Sequence, residues 1–286
     1  MIKNKWNYIT KKLNNFPIRT GVSVFDGVSQ IYGYNYNKKF DTACSIMVYI
    51  MVEYVNQINL GMVNKEEYLI YNEENYATGA GIIKFLPYNS KININDCVEL
   101  MIAASDHIAA NLLIDKLGID NINKTIISLG FYDTKLYKKF LIPKEKNIGI
   151  STPVDYAKFF CLLNNKKIIS IEASEFMINI LLKQKYKDIL TEKIKTSNWA
   201  SLFIDVASKS GKADGKMYDN TTNSYIVDGG VVYTKSFFYT ISLFGDINYN
   251  QTISLNMTKS FLQEISRDVY ELLQEVYNET DIHSAW

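Results

Sequence analysis

Residues 42–55 read TACSIMVYIMVEYV. Small and polar residues lead into a long apolar run, with Thr42 in the N-cap position and Gly61 as a C-terminal stop, so a helix is predicted from Thr42 to about residue 60. Two residues at its mouth set the problem. Cys44 stands alone where a helix N-terminus offers unpaired N–H groups and a favourable dipole to a thiolate. Met47 lies one turn behind it and brings no charge.

The rest of the chain surrounds that helix with ordinary globular sequence. It has 286 residues, enough for one large domain or two small ones, with 47% hydrophobic and 21% charged residues. A formal net charge of +1 builds no field that would hold nucleic acid or an anionic membrane, so neither is expected as a partner. No run approaches the ~18 apolar residues of a membrane span. The opening MIKNKWNYITKKLNNFPIRTG lacks the apolar core of a secretory signal, so a cytoplasmic location is expected. Cys44, Cys97 and Cys161 are an odd, sparse set without C-x-x-C spacing. That argues against a disulfide framework and a structural zinc site, and no metal or cofactor is expected. Cys97 and Cys161 sit in apolar helical stretches and read as packing residues. The two histidines are His107 and His283, the latter at the chain end.

Residues 4–14 read as a helix ended before Pro17. IRTGVSVFDG and SQIYGYNYN alternate around Asp26-Gly27 and predict a hairpin. Residues 64–94 are loop-rich, with ATGAGII in their middle. Helical patterns run from residue 95 to about 130. They resume in STPVDYAKFFCLLNN, where Ser151 or Thr152 caps and Pro153 takes the first position, and in SIEASEFMINILLKQ. Beyond residue 200, FIDVASKSG, NSYIVDGGVVYT and SFFYTISLFGD are strand-like, and MTKSFLQEISRDVYELLQEVYN is an amphipathic helix. This order predicts an α+β fold. A five-stranded antiparallel sheet flanked by the terminal helices (about residues 1–41 and 200–286) stands beside an all-helical lobe (about 42–199), and residues 1–286 form a single unit. A cleft between two such lobes is a natural ligand site.

Three short stretches fall in order along that plan: ACSIM at residues 43–47, at a helix start; SDH at 105–107, between helices; and KSG at 209–211, on a predicted strand. Their order and spacing resemble the S-x-x-K, S-D-N and K-T/S-G elements of the class A β-lactamase-like and penicillin-binding serine hydrolases. GAGIIKFLP, LMIAASD, ANLLIDKLG, STPVDYA and DGGVVYT resemble further segments of that family, so the likeness covers about residues 18–275. It implies a β-lactamase-like fold and a set of roles. Cys44 stands at the family's nucleophilic serine, Met47 at the lysine that takes its proton, and His107 at the asparagine of the second element. Ser105 matches the serine that relays a proton to the leaving group. Lys209 matches the lysine that attracts a substrate carboxylate, and Ser210 the hydroxyl that hydrogen-bonds it. The backbone N–H groups of Cys44 and Lys212 would form the oxyanion hole. Asp106 reads as a structural tie between loop and helix. The family's glutamate base before STPVDYA has no counterpart in YDTKLYKKFLIPKEKNIG, because Glu145 stands too close to Pro153. A register with Ser45 as nucleophile stays open, although Val48-Tyr49-Ile50 fits the family's pattern best with Met47 in the lysine place.

The departures from the family pattern make chemical sense as a set. A serine hydroxyl needs a strong base, whereas a thiol with a pKa near 8.5 needs far less help. Losing the lysine is tolerable once sulfur replaces oxygen, and an imidazole at residue 107 titrates in the right range to serve a thiol. The expectation is a cysteine-dependent acyl-transfer enzyme acting through a Cys44 thioester, by hydrolysis or by amide formation. Its substrate would be a small-molecule or peptidyl acyl compound, free or carrier-bound. Two alternatives stand beside it: a catalytically inactive binding protein on the same fold, and a serine hydrolase or weak β-lactamase.

Overall fold

The computed structural model describes residues 2–140, 147–195, 204–214, 224–247 and 253–283. Helix α1 (Ile2–Asn15) leads into the predicted hairpin of β1 (Arg19–Phe25) and β2 (Gln30–Tyr34). Asp26 closes its turn, accepting the Val28 and Ser29 N–H groups at 2.9 and 2.8 Å. The short strands β3 (Phe40–Asp41), β4 (Tyr68–Ile70), β5 (Lys91–Asn93), β6 (Lys135–Leu136) and β7 (Gly149–Ser151) form two small sheets of their own. A second hairpin joins β10 (Ser224–Tyr233) to β11 (Phe238–Ile247), and β11 pairs antiparallel with β1 from Arg19↔Asp246 to Phe25↔Thr240. On the far side of β10 lie β8 (Asp205–Ser208) and β9 (Gly211–Ala213). The order β2-β1-β11-β10-β8, with β9 also on β10, fills the five predicted positions with six segments.

The last position is split at Lys209 and Ser210, so the KSG stretch lies at a strand break rather than on a continuous strand. The cause is local. Lys209 N–H still bonds across to the Gly229 carbonyl at 3.0 Å, but Ser210 N–H turns away to Gln184 Oε1 at 2.9 Å.

Apolar layers cover both faces of the sheet. On one face α1, α8 (Asp188–Lys195) and α9 (Leu255–His283) bring Leu13, Leu190, Ile265 and Val269 against Val22, Ile226 and Leu243. Helix α8 therefore packs with the terminal helices, and the helical lobe ends before Asp188 rather than near residue 200. On the other face Val227, Val231 and Phe244 meet the larger core of α2 (Met47–Asn59), α3 (Ile94–Ala103), α4 (His107–Leu117), α5 (Ile119–Ser128), α6 (Pro153–Asn164) and α7 (Ile171–Leu182). Among the described residues no helix is long and apolar enough to cross a membrane.

Helix α2 is the axis of the helical lobe. Every residue from Met47 to Val55 is buried, which is why its sequence is apolar all round. Its one buried carboxylate, Glu53, accepts from Gln57 Nε2 at 2.7 Å and from the Thr125 hydroxyl, so the charge is matched by donors. The helix does not open at Thr42 as predicted. Ala43–Ile46 form a 3-10 turn first, and the Thr42 side chain caps nothing. Instead the Thr42 carbonyl accepts both the Ser45 N–H at 3.1 Å and the Ser45 hydroxyl at 2.8 Å, which closes the turn three residues on. Ala43 consequently takes a left-handed φ of 45°, a strained conformation for a side-chain-bearing residue directly before Cys44.

Candidate active site

The 3-10 turn presents Cys44 to the start of α4. There Cys44 Sγ lies 3.2 Å from His107 Nε2. The other ring nitrogen, Nδ1, lies 2.7 Å from the Thr78 carbonyl, which can only accept. Nδ1 therefore carries hydrogen, and the Nε2 lone pair of the neutral ring faces the thiol.

Several backbone devices hold that ring. Asp106 caps α4: its Oδ1 accepts the Ile108 and Ala109 N–H groups, both at 3.0 Å, and its Oδ2 accepts Ile82 N–H at 2.6 Å and Ile83 N–H at 3.0 Å. Four bonds to a fully buried carboxylate, each contributing about 1.5–3 kcal/mol, make Asp106 the tie between loop and helix. Gly79 and Gly81 let the loop come this close. A Cβ on Gly79 would sit 2.6 Å from the His107 ring, and one on Gly81 would sit 2.3 Å from the Asp106 carboxyl. Both glycines also have positive φ, 100° and 111°, which side-chain-bearing residues rarely adopt. One turn along α4, buried Asn111 pins Phe140 by two 2.7 Å bonds, and the Phe140 ring rests 5.1 Å from that of His107.

Lys209 and Ser105 complete the cluster. The Lys209 side chain is wholly buried, and its ammonium donates to Ser105 Oγ and, at 2.8 Å, to the Ser210 carbonyl. Ser105 holds a left-handed φ of 54°. Ser210 is half-buried, and Lys212 leaves its side chain exposed on β9. The turn and β9 are in close backbone contact: a Cβ on Gly211 would lie 2.8 Å from the Cys44 nitrogen. Met47 is buried in the apolar core, and Ser45 spends its hydroxyl on Thr42. Glu145 lies outside the described residues.

The electrostatics favour a thiolate. Burial pushes the Cys44 thiol up, but the His107 ring, the Lys209 charge and the Ser105 hydroxyl together bring it down to about 7. Burial opposes charge on His107 too, yet the neighbouring sulfur and the Thr78 carbonyl raise its pKa above the usual value. Both shifts favour a thiolate–imidazolium pair. Burial likewise lowers Lys209, to about 8, against the pull of Cys44 and Asp228. The other thiols go the opposite way: burial drives Cys97 up to about 12 and raises Cys161. Iodoacetamide should therefore alkylate Cys44 selectively, with a rate that climbs as pH rises through about 7 rather than the ~8.5 of an unperturbed thiol. Peptide mass spectrometry across a pH series checks this, and a midpoint at the ordinary value would remove the pairing.

Sequence reasoning singled out Cys44, His107, Ser105 and Lys209, and the fold brings these four together. It assigned no role to Thr78, Gly79, Asn111, Tyr156 or Gln184. The only sequence signal for the first two was the glycine pair in ATGAGII.

Comparison with known proteins finds relatives of the chain and of its fold. A family model described as the beta-lactamase enzyme family matches residues 4–273. Beta-lactamase BRO-1 of Moraxella catarrhalis is 23% identical over 212 residues, covering 69% of this chain and 67% of that protein. The beta-lactamase structure from Sphaerobacter thermophilus DSM 20745 superposes with a TM-score of 0.77 at 22% identity, covering 94% of this chain and 95% of that one. The structure of PBP-A gives 0.81 at 20% identity, covering 95% and 96%. A variant of PBP-A, solved as an acyl-enzyme complex with penicillin G, also gives 0.81, at 21% identity over 96% and 97%.

Proposed function

The chain belongs to the beta-lactamase enzyme family, and from that premise we propose that it is a cysteine-dependent acyl-transfer enzyme with Cys44 as nucleophile and His107 as its proton acceptor and donor. The observation that carries this reading is the 3.2 Å contact between Cys44 Sγ and His107 Nε2, with Nδ1 anchored on the Thr78 carbonyl. That is the reach and the tautomer a general base requires. Met47 cannot serve, since a thioether takes up no proton at working pH.

In the first half-reaction the Cys44 proton passes to Nε2 and sulfur bonds to the acyl carbon. The carbonyl pair becomes an oxyanion held by the Cys44 and Lys212 N–H groups. The bond from carbon to the leaving group then breaks, and that group takes a proton from His107, relayed through Ser105, whose hydroxyl is oriented by Lys209. In the second half an amine or water attacks the thioester, its proton goes to Nε2, the carbon–sulfur bond breaks, and the thiolate recovers. A covalent acyl intermediate is also the state in which the PBP-A variant was captured. Thioesters favour amines over water more than oxygen esters do, so amide formation stands beside hydrolysis. Lys209 is buried and bonded to Ser105, so its pull on a substrate carboxylate acts as a field, whereas Ser210 is half-buried.

The half-reactions require the Cys44 thiolate, gained as pH rises through about 7, and the Lys209 ammonium, lost as pH rises through about 8. Acyl transfer should follow a narrow bell between those limbs, whereas alkylation keeps only the lower one. The reading itself is tested by intact-protein mass spectrometry with acyl-thioester and β-lactam probes. One adduct on Cys44, absent in Cys44→Ala, is the expected result. Acylation that survives Cys44→Ala would give the chemistry to Ser45, and no adduct with any probe would favour an inactive binding protein.

A further inference from the structure

Tyr156 joins the two segments that carry the proposed oxyanion donors. Its phenol is fully buried on α6. The hydroxyl donates to the Lys209 carbonyl at 2.6 Å and lies 3.4 Å from the Ser45 carbonyl. One hydrogen is thus shared between the turn that holds Cys44 and the strand break that leads into Lys212. The ring cannot swing aside. Phe160 and Phe244 meet it edge-on at 5.2 and 5.9 Å, and Gly229 is open only to the extent the ring needs, since a Cβ there would lie 2.7 Å from it. From the other side Gln184 fixes the same break, donating to Ser208 Oγ at 2.8 Å and accepting Ser210 N–H at 2.9 Å.

We infer that Tyr156 is a positioning residue for acyl transfer: by holding the Ser45 and Lys209 carbonyls on one hydrogen, it sets the separation of the Cys44 and Lys212 N–H groups and their aim at the developing oxyanion. The inference rests on Cys44 being the acyl-accepting nucleophile. Tyr156 gives its hydrogen to carbonyls and not to sulfur, and burial holds its phenol well above the usual tyrosine range, so it moves no proton during turnover. Its role is geometric, and geometry of this kind matters most where charge develops.

Two rates separate this role from a structural or thiol-activating one. Attack on an acyl thioester develops an oxyanion, whereas attack on iodoacetamide displaces iodide at a saturated carbon and develops none. Tyr156→Phe keeps the ring and should slow Cys44 acylation by about tenfold at saturating donor, with the alkylation rate and its pH midpoint unchanged. If Phe at this position does not fold, fluorinated tyrosine incorporated at residue 156 alters the donor strength alone and should change acylation without changing alkylation. Acylation at the wild-type rate, or a parallel fall in both rates, would overturn the inference. A wild-type protein that is alkylated but takes no acyl group would overturn the nucleophile assignment and this role with it. Normal wild-type acylation with an unaffected variant sinks the Tyr156 role alone.

Discussion

His107→Asn is expected to slow acylation of Cys44 by about a thousandfold while leaving the fold intact. Asparagine is the residue that the resemblance to the family implies for this place, and it is small enough to follow Asp106 at the start of α4. The start of α4 does not depend on residue 107, because Asp106 supplies the cap through bonds to the Ile108 and Ala109 N–H groups. Reactivity has two reasons to fall. An amide cannot accept the thiol proton. Burial is also the largest influence on Cys44 and acts upward, so once the imidazole is gone, with only the Lys209 charge and the Ser105 hydroxyl opposing burial, the thiol should climb above about 7. Acylation and alkylation rates, read with a thermal melt, check this: both rates should fall near neutral pH, the alkylation midpoint should rise, and the Tm should hold. Acylation at the wild-type rate would place the base elsewhere, and a collapsed Tm would make the ring a structural one.

Gly211→Ala should have the second largest effect, and for a steric reason. The added Cβ would lie 2.6 Å from Thr42 O, 2.7 Å from Ser45 N and 2.8 Å from Cys44 N. All three are backbone atoms, so no side chain can rotate away, and either β9 or the nucleophile turn must move. The expected cost is about 1–3 kcal/mol of stability and about a hundredfold in acylation, with alkylation of Cys44 affected less. Denaturant unfolding and the two rates measure these separately. Gly61→Ala is the matching control: nothing lies within 4 Å of its Cβ, and only its φ of 68° resists the change. It should lose about 1 kcal/mol and no acylation. Equal acylation in the two variants would mean that the contact between β9 and the Cys44 turn has no part in the chemistry.

The architecture was largely legible because its signals are local. Alternation around Asp26-Gly27 marks the first hairpin, and the Thr152-Pro153 start marks α6, where Thr152 Oγ1 does accept Asp155 N–H at 3.2 Å. Two misreadings have different causes. Thr42 looks like a helix cap and KSG like strand, and by composition both are. The structure replaces the first with a 3-10 turn because Ser45 bonds the Thr42 carbonyl three residues back, and it splits the second because Ser210 N answers to Gln184, a neighbour remote in sequence. Helix α8 was missed as part of the sheet lobe for a related reason: its Ile189, Leu190 and Ile194 say that one face is buried but not against what.

The same division runs through the site. Taken alone, the order of residues led to the expectation that Cys44, Ser105, His107 and Lys209 stand at the places of one family's chemistry, with a thiol in the place of a hydroxyl and a methionine in the place of a lysine. Side-chain identity carries pKa, nucleophilicity and charge, and these are properties of each residue in isolation. Only the tertiary structure decided that sulfur and imidazole stand 3.2 Å apart, that the Thr78 carbonyl selects the tautomer, and that the Tyr156 hydroxyl spans the Ser45 and Lys209 carbonyls. These contacts join segments 29 to 111 residues apart, and all but the first are made to a backbone carbonyl. A carbonyl is the same group in every residue, so its position rather than its identity carries the information, and position exists only once the chain has packed.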